Sequence, residues 1–299
     1  MIRNLFAAFC SLALAAQTAA KSNNEPLQLK ASSPWNVDYA DDRCRLMRLF
    51  GEGDEKVFAI FDRYGTGERF RMTIAGKPVQ TAKDNGEATV QFGPGENEQR
   101  LAFFKGSLGE YPALVFQSQI RVAPPSLAEL TAIDKRKSDD WIELSPVGSE
   151  REGAIRNLTI GKPLRRSVIM NTGSMRKSFE ALNTCVDNLM ESWGIDVEKH
   201  KTLTRETKPE ENPGDWVVSE DYPLNMLFAG QPAIVEFRLS VGIDGKPTAC
   251  HIQSTTRPKA FDDAVCKSVM RRAHLIPALD REGKPIASFY RNTVSFRIP

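Results

Sequence analysis

Five cysteines and three histidines carry most of the chemistry this 299-residue chain could perform. Cys10 lies in an apolar amino-terminal run, and Phe9 stands where lipid attachment requires a small residue. The other four, Cys44, Cys185, Cys250 and Cys266, lack the close paired spacing of a zinc site, and His200, His251 and His274 are scattered. An even number of cysteines in an exported chain points instead to disulfides, and four allow three connectivities. Nucleophilic catalysis would need a histidine near a serine or cysteine. His200 falls in a polar stretch, and His274 sits at a helix end, where it complements the dipole. His251 alternates with Cys250 and Ile252 and is expected on a solvated face. Asp62-Arg63-Tyr64-Gly65-Thr66-Gly67 is glycine-rich but lacks the phosphate-binding lysine and any βαβ context, so it reads as a hairpin turn. The carboxylate pairs Asp41-Asp42, Asp139-Asp140 and Asp262-Asp263 are adjacent, and adjacent side chains diverge on a helix or strand. No catalytic constellation, cofactor site or metal site emerges. The chain is expected not to be an enzyme, with an unrecognised activity in its amino-terminal part as the alternative.

The leader sets the expected compartment. Arg3 precedes the apolar run Leu5 to Ala16, too short to span a bilayer comfortably, and Gln17-Thr18-Ala19-Ala20 follows with small residues at signal-peptidase positions. Residues 1–20 therefore read as a signal peptide cleaved after Ala20, placing the protein in the periplasm. The alternative is an uncleaved anchor in the inner membrane. Cleavage leaves 279 residues with 39 basic and 38 acidic side chains, since Arg3 is the leader's one charge. That balance gives no pull toward nucleic acid or an anionic membrane. Lys135-Arg136-Lys137 and Arg271-Arg272 are short and read as solvated faces.

The remaining length suits two domains. From 222 to 299 the chain reads as a small ββαβ unit. Val235, Phe237, Leu239, Val241 and Ile243 are apolar while Glu236, Arg238 and Ser240 are polar, a strand with one buried face. Asp244-Gly245 follows as a two-residue hairpin turn. Counting outward pairs Ile243 with Lys246, Val241 with Thr248, Leu239 with Cys250 and Phe237 with Ile252. A helix from Pro258 to His274 places Phe261, Val265, Val269, Ala273 and Cys266 on one arc of about 140°. Cys266 then looks toward the face carrying Cys250, which favours Cys250–Cys266 and leaves Cys44–Cys185. A last strand, Phe289 to Ile298, presents Val294, Phe296 and Ile298 together.

This segment resembles a known family. Tyr222-Pro223, Gly230, the Val235 to Val241 strand and Asp244-Gly245-Lys246 are similar to the carboxy-terminal domain of the TonB energy-transducer family. So are Phe261-Asp262, Arg271-Arg272, Pro277-Ala278, Gly283-Lys284-Pro285-Ile286 and the Val294-x-Phe296 ending. Ser254-Thr255-Thr256 departs from the Ser-Ser-Gly-like turn expected there. The resemblance implies a mixed fold with an antiparallel sheet whose exposed edge captures an extended peptide from an outer-membrane receptor by backbone pairing. The binding edge it implies is the last strand, through Tyr290, Asn292, Val294 and Phe296. Proline at Val294 would abolish such binding if that N–H points outward. A membrane-anchored transducer for outer-membrane transport is the alternative, but the long Pro-rich reach expected of one is missing.

Residues 30–197 read as a β-rich α+β domain of unknown role. Strands are expected at Val57–Asp62, Phe70–Ile74, Thr89–Phe92, Leu101–Phe104 and Ala113–Gln117. Ser126 with Glu129 forms a capping box. Met175, Phe179, Leu182, Val186, Leu189 and Trp193 mark a helix that Gly194 ends. The polar segment 198–221 reads as a linker. The whole is thus expected to be α+β in two domains.

Overall fold

The computed structural model describes residues 25–82, 85–116, 120–135, 147–255 and 258–298. The leader, Gln117, Arg136-Lys137, Asp139-Asp140 and Thr256 lie outside them. Short β-branched and aromatic runs punctuated by glycine turns build one ten-stranded sheet in the amino-terminal body. Its strands are β1 (Leu27–Leu29), β2 (Asn36–Ala40), β3 (Arg43–Phe50), β4 (Val57–Arg63), β5 (Arg71–Ala75) and β6 (Asn85–Phe92). They continue with β7 (Gln99–Leu108), β8 (Tyr111–Phe116), β9 (Asn157–Ile160) and β10 (Val168–Asn171). The order is β1-β10-β9-β6-β7-β8-β5-β4-β3-β2, antiparallel except for β1 with β10. The sheet closes on itself where the chain after β1 meets the end of β3: Ser32 N–H donates to Leu49 O (2.9 Å) and Gly51 N–H to Lys30 O (2.8 Å).

Two helices precede β9. The expected capping box starts α1 (Leu127–Lys135), with Ser126 N–H on Glu129 Oε2 (2.7 Å) and Glu129 N–H on Ser126 Oγ (3.2 Å). The short α2 (Gly148–Ala154) follows. Then α3 (Arg176–Ser192) lays its apolar stripe on the sheet interior. Phe179 stands 6.3 Å from Phe61 and 6.0 Å from Phe70, ring centre to ring centre. Gly194, at φ 76°, ends this helix, and Cys185 bonds Cys44 across to β3 with Cα atoms 5.9 Å apart.

The second core begins at Trp216 and holds the carboxy-terminal module. The segment 198–221, expected as a linker, is packed along both parts. α4 (Val197–His200) buries His200, and β11 (Lys208–Pro209) pairs with β14 (Leu275–Ile276). Trp216 is buried there in the module's own core, its ring 5.4 Å from that of Tyr290. After the exposed turn of helix α5 (Leu224–Phe228) come β12 (Ala233–Val241), β13 (Pro247–Thr255), α6 (Lys259–Arg272), β14, β15 (Ala278–Leu279), β16 (Pro285–Ile286) and β17 (Ser288–Phe296). β12 lies between β13 and β17, antiparallel to both, and α6 covers one face with Phe261, Val265 and Val269. Cys250 and Cys266 are bonded across this contact.

Leu239 pairs with Cys250 and Phe237 with Ile252, as the alternation predicts. The turn differs. Gly242 N–H donates to Lys246 O and Gly245 N–H to Gly242 O, both at 3.0 Å, so Ile243-Asp244 are the central residues and Gly245 takes the left-handed position at φ 79°. This is a three-residue loop with a glycine bulge. Ile243 consequently stands exposed in the turn, and Val241 faces Pro247 rather than Thr248.

Candidate interaction surface: the outer edge of the last strand

Backbone alternation decides which groups β17 offers. The Gly242–Lys246 bond aims the Gly242 backbone at β13, so Ser240, Arg238 and Glu236 follow it. Both β12–β13 irregularities place their extra residues, Gln253 and Thr248, in β13, which leaves the β12 alternation intact. Val241, Leu239, Phe237, Val235 and Ala233 therefore aim at β17, opposite Ser288, Tyr290, Asn292, Val294 and Phe296. The backbones of Phe289, Arg291, Thr293 and Ser295 are left to point outward. In agreement, Thr293 N–H donates to the Asn292 side-chain Oδ1 (2.8 Å). The Val294 N–H faces β12, so the condition attached to a proline there is not met; Thr293 is the position that tests the edge. Among the described residues β17 pairs only with β12.

The four side chains named from the sequence all turn toward the α6 side. Phe296 is buried, 5.0 Å from the Phe261 ring and 5.2 Å from that of Tyr222. Val294 is half-buried at the core margin. Tyr290 packs edge-on against Trp216 at 5.4 Å, and burial pushes its phenol up to about 12. Asn292 donates to the Tyr290 hydroxyl (3.1 Å). Their side chains hold β17 in place, while the alternate residues carry the outward backbone edge.

A run from Trp216 to Tyr222 underlies this edge. Arg272 pins it, donating to Trp216 O (2.9 Å) and to Asp221. Burial alone would raise the Asp221 carboxyl, but hydrogen bonds from Arg272, the Val218 N–H and Ser268 outweigh it and hold it at about 2. Arg272 is thus a structural clamp, because Asp221 is brought back from the segment before α5, while Arg271 stays exposed as expected, 3.5 Å from the same carboxylate.

Around Glu236, Arg238, Gln253, Phe289 and Arg291 the sheet face away from α6 is not solvated. Glu236 forms an ion pair with Arg71 of β5. Arg238, 2% exposed, lays its guanidinium 3.8 Å over the Trp193 ring and reaches Asp42 at 3.5 Å. Gln253, set on one of the bulges, donates to Asp42 O (3.1 Å) and accepts from Arg291 Nε (2.6 Å). Arg291 lies 4.8 Å over Tyr64, and burial holds it down at about 10. His251, expected on a solvated face, is half-buried; burial and then the neighbouring Arg238 lower its pKa. His200 bonds Ser288 Oγ (2.7 Å) and stacks on Phe289 at 5.4 Å. Polar residues facing a second body alternate just as polar residues facing water do, so period alone could not reveal this contact.

Among the described residues no cluster of histidine, cysteine or carboxylates could hold a metal, and no helix is long and apolar enough to cross a membrane. Residues 219–298 match the family model of the Gram-negative bacterial TonB protein C-terminal. The match spans α5, the three-stranded sheet and α6, and makes this segment a TonB-like protein-interaction module of the cell envelope. A search of curated proteins finds no match to the chain.

Proposed function

We propose, with residues 219–298 as a TonB carboxy-terminal module, that the chain is an exported periplasmic protein whose β17 edge pairs with an extended segment of an outer-membrane receptor. The observation that carries this reading is the outward backbone of Thr293 and Ser295 on a strand paired on one side only. Such an edge supplies affinity through main-chain bonds. The two disulfides suit an oxidising compartment, which agrees with residues 1–20 as a cleaved leader. The role is binding rather than catalysis. Titrating the full chain with receptor-derived peptides should shift the amides of 293–297 in NMR spectra. Thr293→Pro removes an outward donor while leaving the β12 ladder whole. It should weaken peptide affinity at least tenfold (about 1.4 kcal/mol) with little change in melting temperature. Val294→Pro breaks the ladder and should destabilise the module by about 3 kcal/mol. If Thr293→Pro binds as tightly as the unmodified chain, the edge is not the binding site. Mass spectrometry of the mature amino terminus tests export: a chain beginning at Lys21 is released, whereas an intact leader favours an anchored transducer.

A further inference from the structure

We infer that the amino-terminal body closes the first half of the β17 edge and leaves residues 293–297 to a partner strand. The inference rests on the edge-pairing reading above and narrows its partner to a short extended segment. A strand added beside β17 would lie about 4.8 Å away, with alternate side chains on the side of the sheet that faces the body. Beside Phe289 and Arg291 the body already occupies that side. A Cβ added at Gly65 would stand 2.9 Å from Phe289 Cζ and 3.8 Å from Arg291 Cδ, so this loop lies flush on the strand. Trp193 meets the Phe289 ring at 5.5 Å, and His200 stacks on the same ring. Past Arg291 the surroundings change. Thr293, Ser295 and Arg297 are exposed, and the body's contact there is Arg71 with Glu236, one strand inward. Proteins commonly protect sheet edges with a cover. Here the cover is the chain's own other part, and it stops midway. Undocking would lengthen the available edge from 293–297 to 289–297.

Amide hydrogen exchange on the full chain reads this without a ligand. The outward amides of Phe289 and Arg291 should exchange at least tenfold more slowly, relative to intrinsic rates, than that of Ser295. In Gly65→Leu, where the new side chain wedges against Phe289, the difference should shrink below threefold. If Gly65→Leu folds poorly, Phe289→Ala removes the same contact from the other side. A hexapeptide of alternating threonine and valine, added to the same samples, should shift 293–297 in the unmodified chain and extend to 289 and 291 in the variant. Phe289 and Arg291 exchanging as fast as Ser295 in the unmodified chain overturns the inference. A hexapeptide that perturbs neither chain counts against edge pairing itself, and the exchange ratio still judges the cover.

Discussion

His200 shows how one side chain couples the two parts of the molecule. Its ring is 8% exposed, bonded through Nε2 to Ser288 and stacked on Phe289, while Nδ1 is buried without a hydrogen-bond partner. A second proton on this ring would be an uncompensated buried charge, and burial holds its pKa down at about 4, against 6.5 ordinarily. The folded state therefore favours neutral histidine. That contribution is complete above pH 6.5 and is lost as pH falls from 6.5 toward 4; the gap corresponds to roughly 3 kcal/mol. Carboxylates titrate in the lower part of this range, so the comparison must be between variants. Urea unfolding at pH 7 and pH 4.5 should show a smaller acid loss in His200→Gln than in the unmodified chain. Equal losses would mean the ring is free to take its proton in the folded protein.

The β12–β13 hairpin shows what an element can and cannot disclose in advance. The alternation of Val235 to Val241 specifies which face meets α6, because a one-residue slip would turn every apolar side chain away from that helix. Two of the paired positions, Leu239 with Cys250 and Phe237 with Ile252, follow from it, as does the Cys250–Cys266 bond. The turn does not follow. Asp-Gly fits both a two-residue loop and a three-residue loop ending in a left-handed glycine, which local sequence does not separate; in the folded chain Leu275 O approaches to 1.9 Å of where a Gly245 Cβ would be. Gly245→Ala should accordingly cost more than the roughly 1 kcal/mol of a left-handed alanine, about 2–3 kcal/mol with the displacement of β14. A cost below 1 kcal/mol in denaturant unfolding would show that the loop relaxes freely. The remaining gaps have the same origin. The pairing of β9 with β6 and of β1 with β10 joins segments far apart in the chain, which local periodicity cannot register. The contacts of Glu236, Arg238 and Arg291 were invisible for that reason too.

At the scale of the whole molecule, two cores are joined by a polar and aromatic seam rather than by a shared apolar one. Arg238 lies at its centre: it stacks on Trp193, reaches Asp42 and donates to Ser240 Oγ at 3.2 Å. Its desolvation is unfavourable, as the lowering of its pKa by burial indicates, and it is offset by the ring and the carboxylate. A seam of this kind makes the module's stability depend on docking. The unmodified chain should melt in a single calorimetric transition, because opening either part exposes the other's unsatisfied polar groups. Arg238→Ala removes the cation and leaves Asp42 and Trp193 without their main partner, a loss of roughly 2–3 kcal/mol. The module's transition should fall by about 10 °C and separate from that of the amino-terminal body, whose Phe61, Phe70 and Phe179 packing is untouched. Phe237→Ala provides the contrast. It deletes a ring in the module's own core, at a cost of about 3–5 kcal/mol, yet leaves the seam intact. Under Phe237→Ala the lowered module should therefore pull the whole transition down with it, whereas Arg238→Ala should split it. One unsplit transition in both variants would mean the two parts are coupled through the 198–221 segment and not through the sheet face.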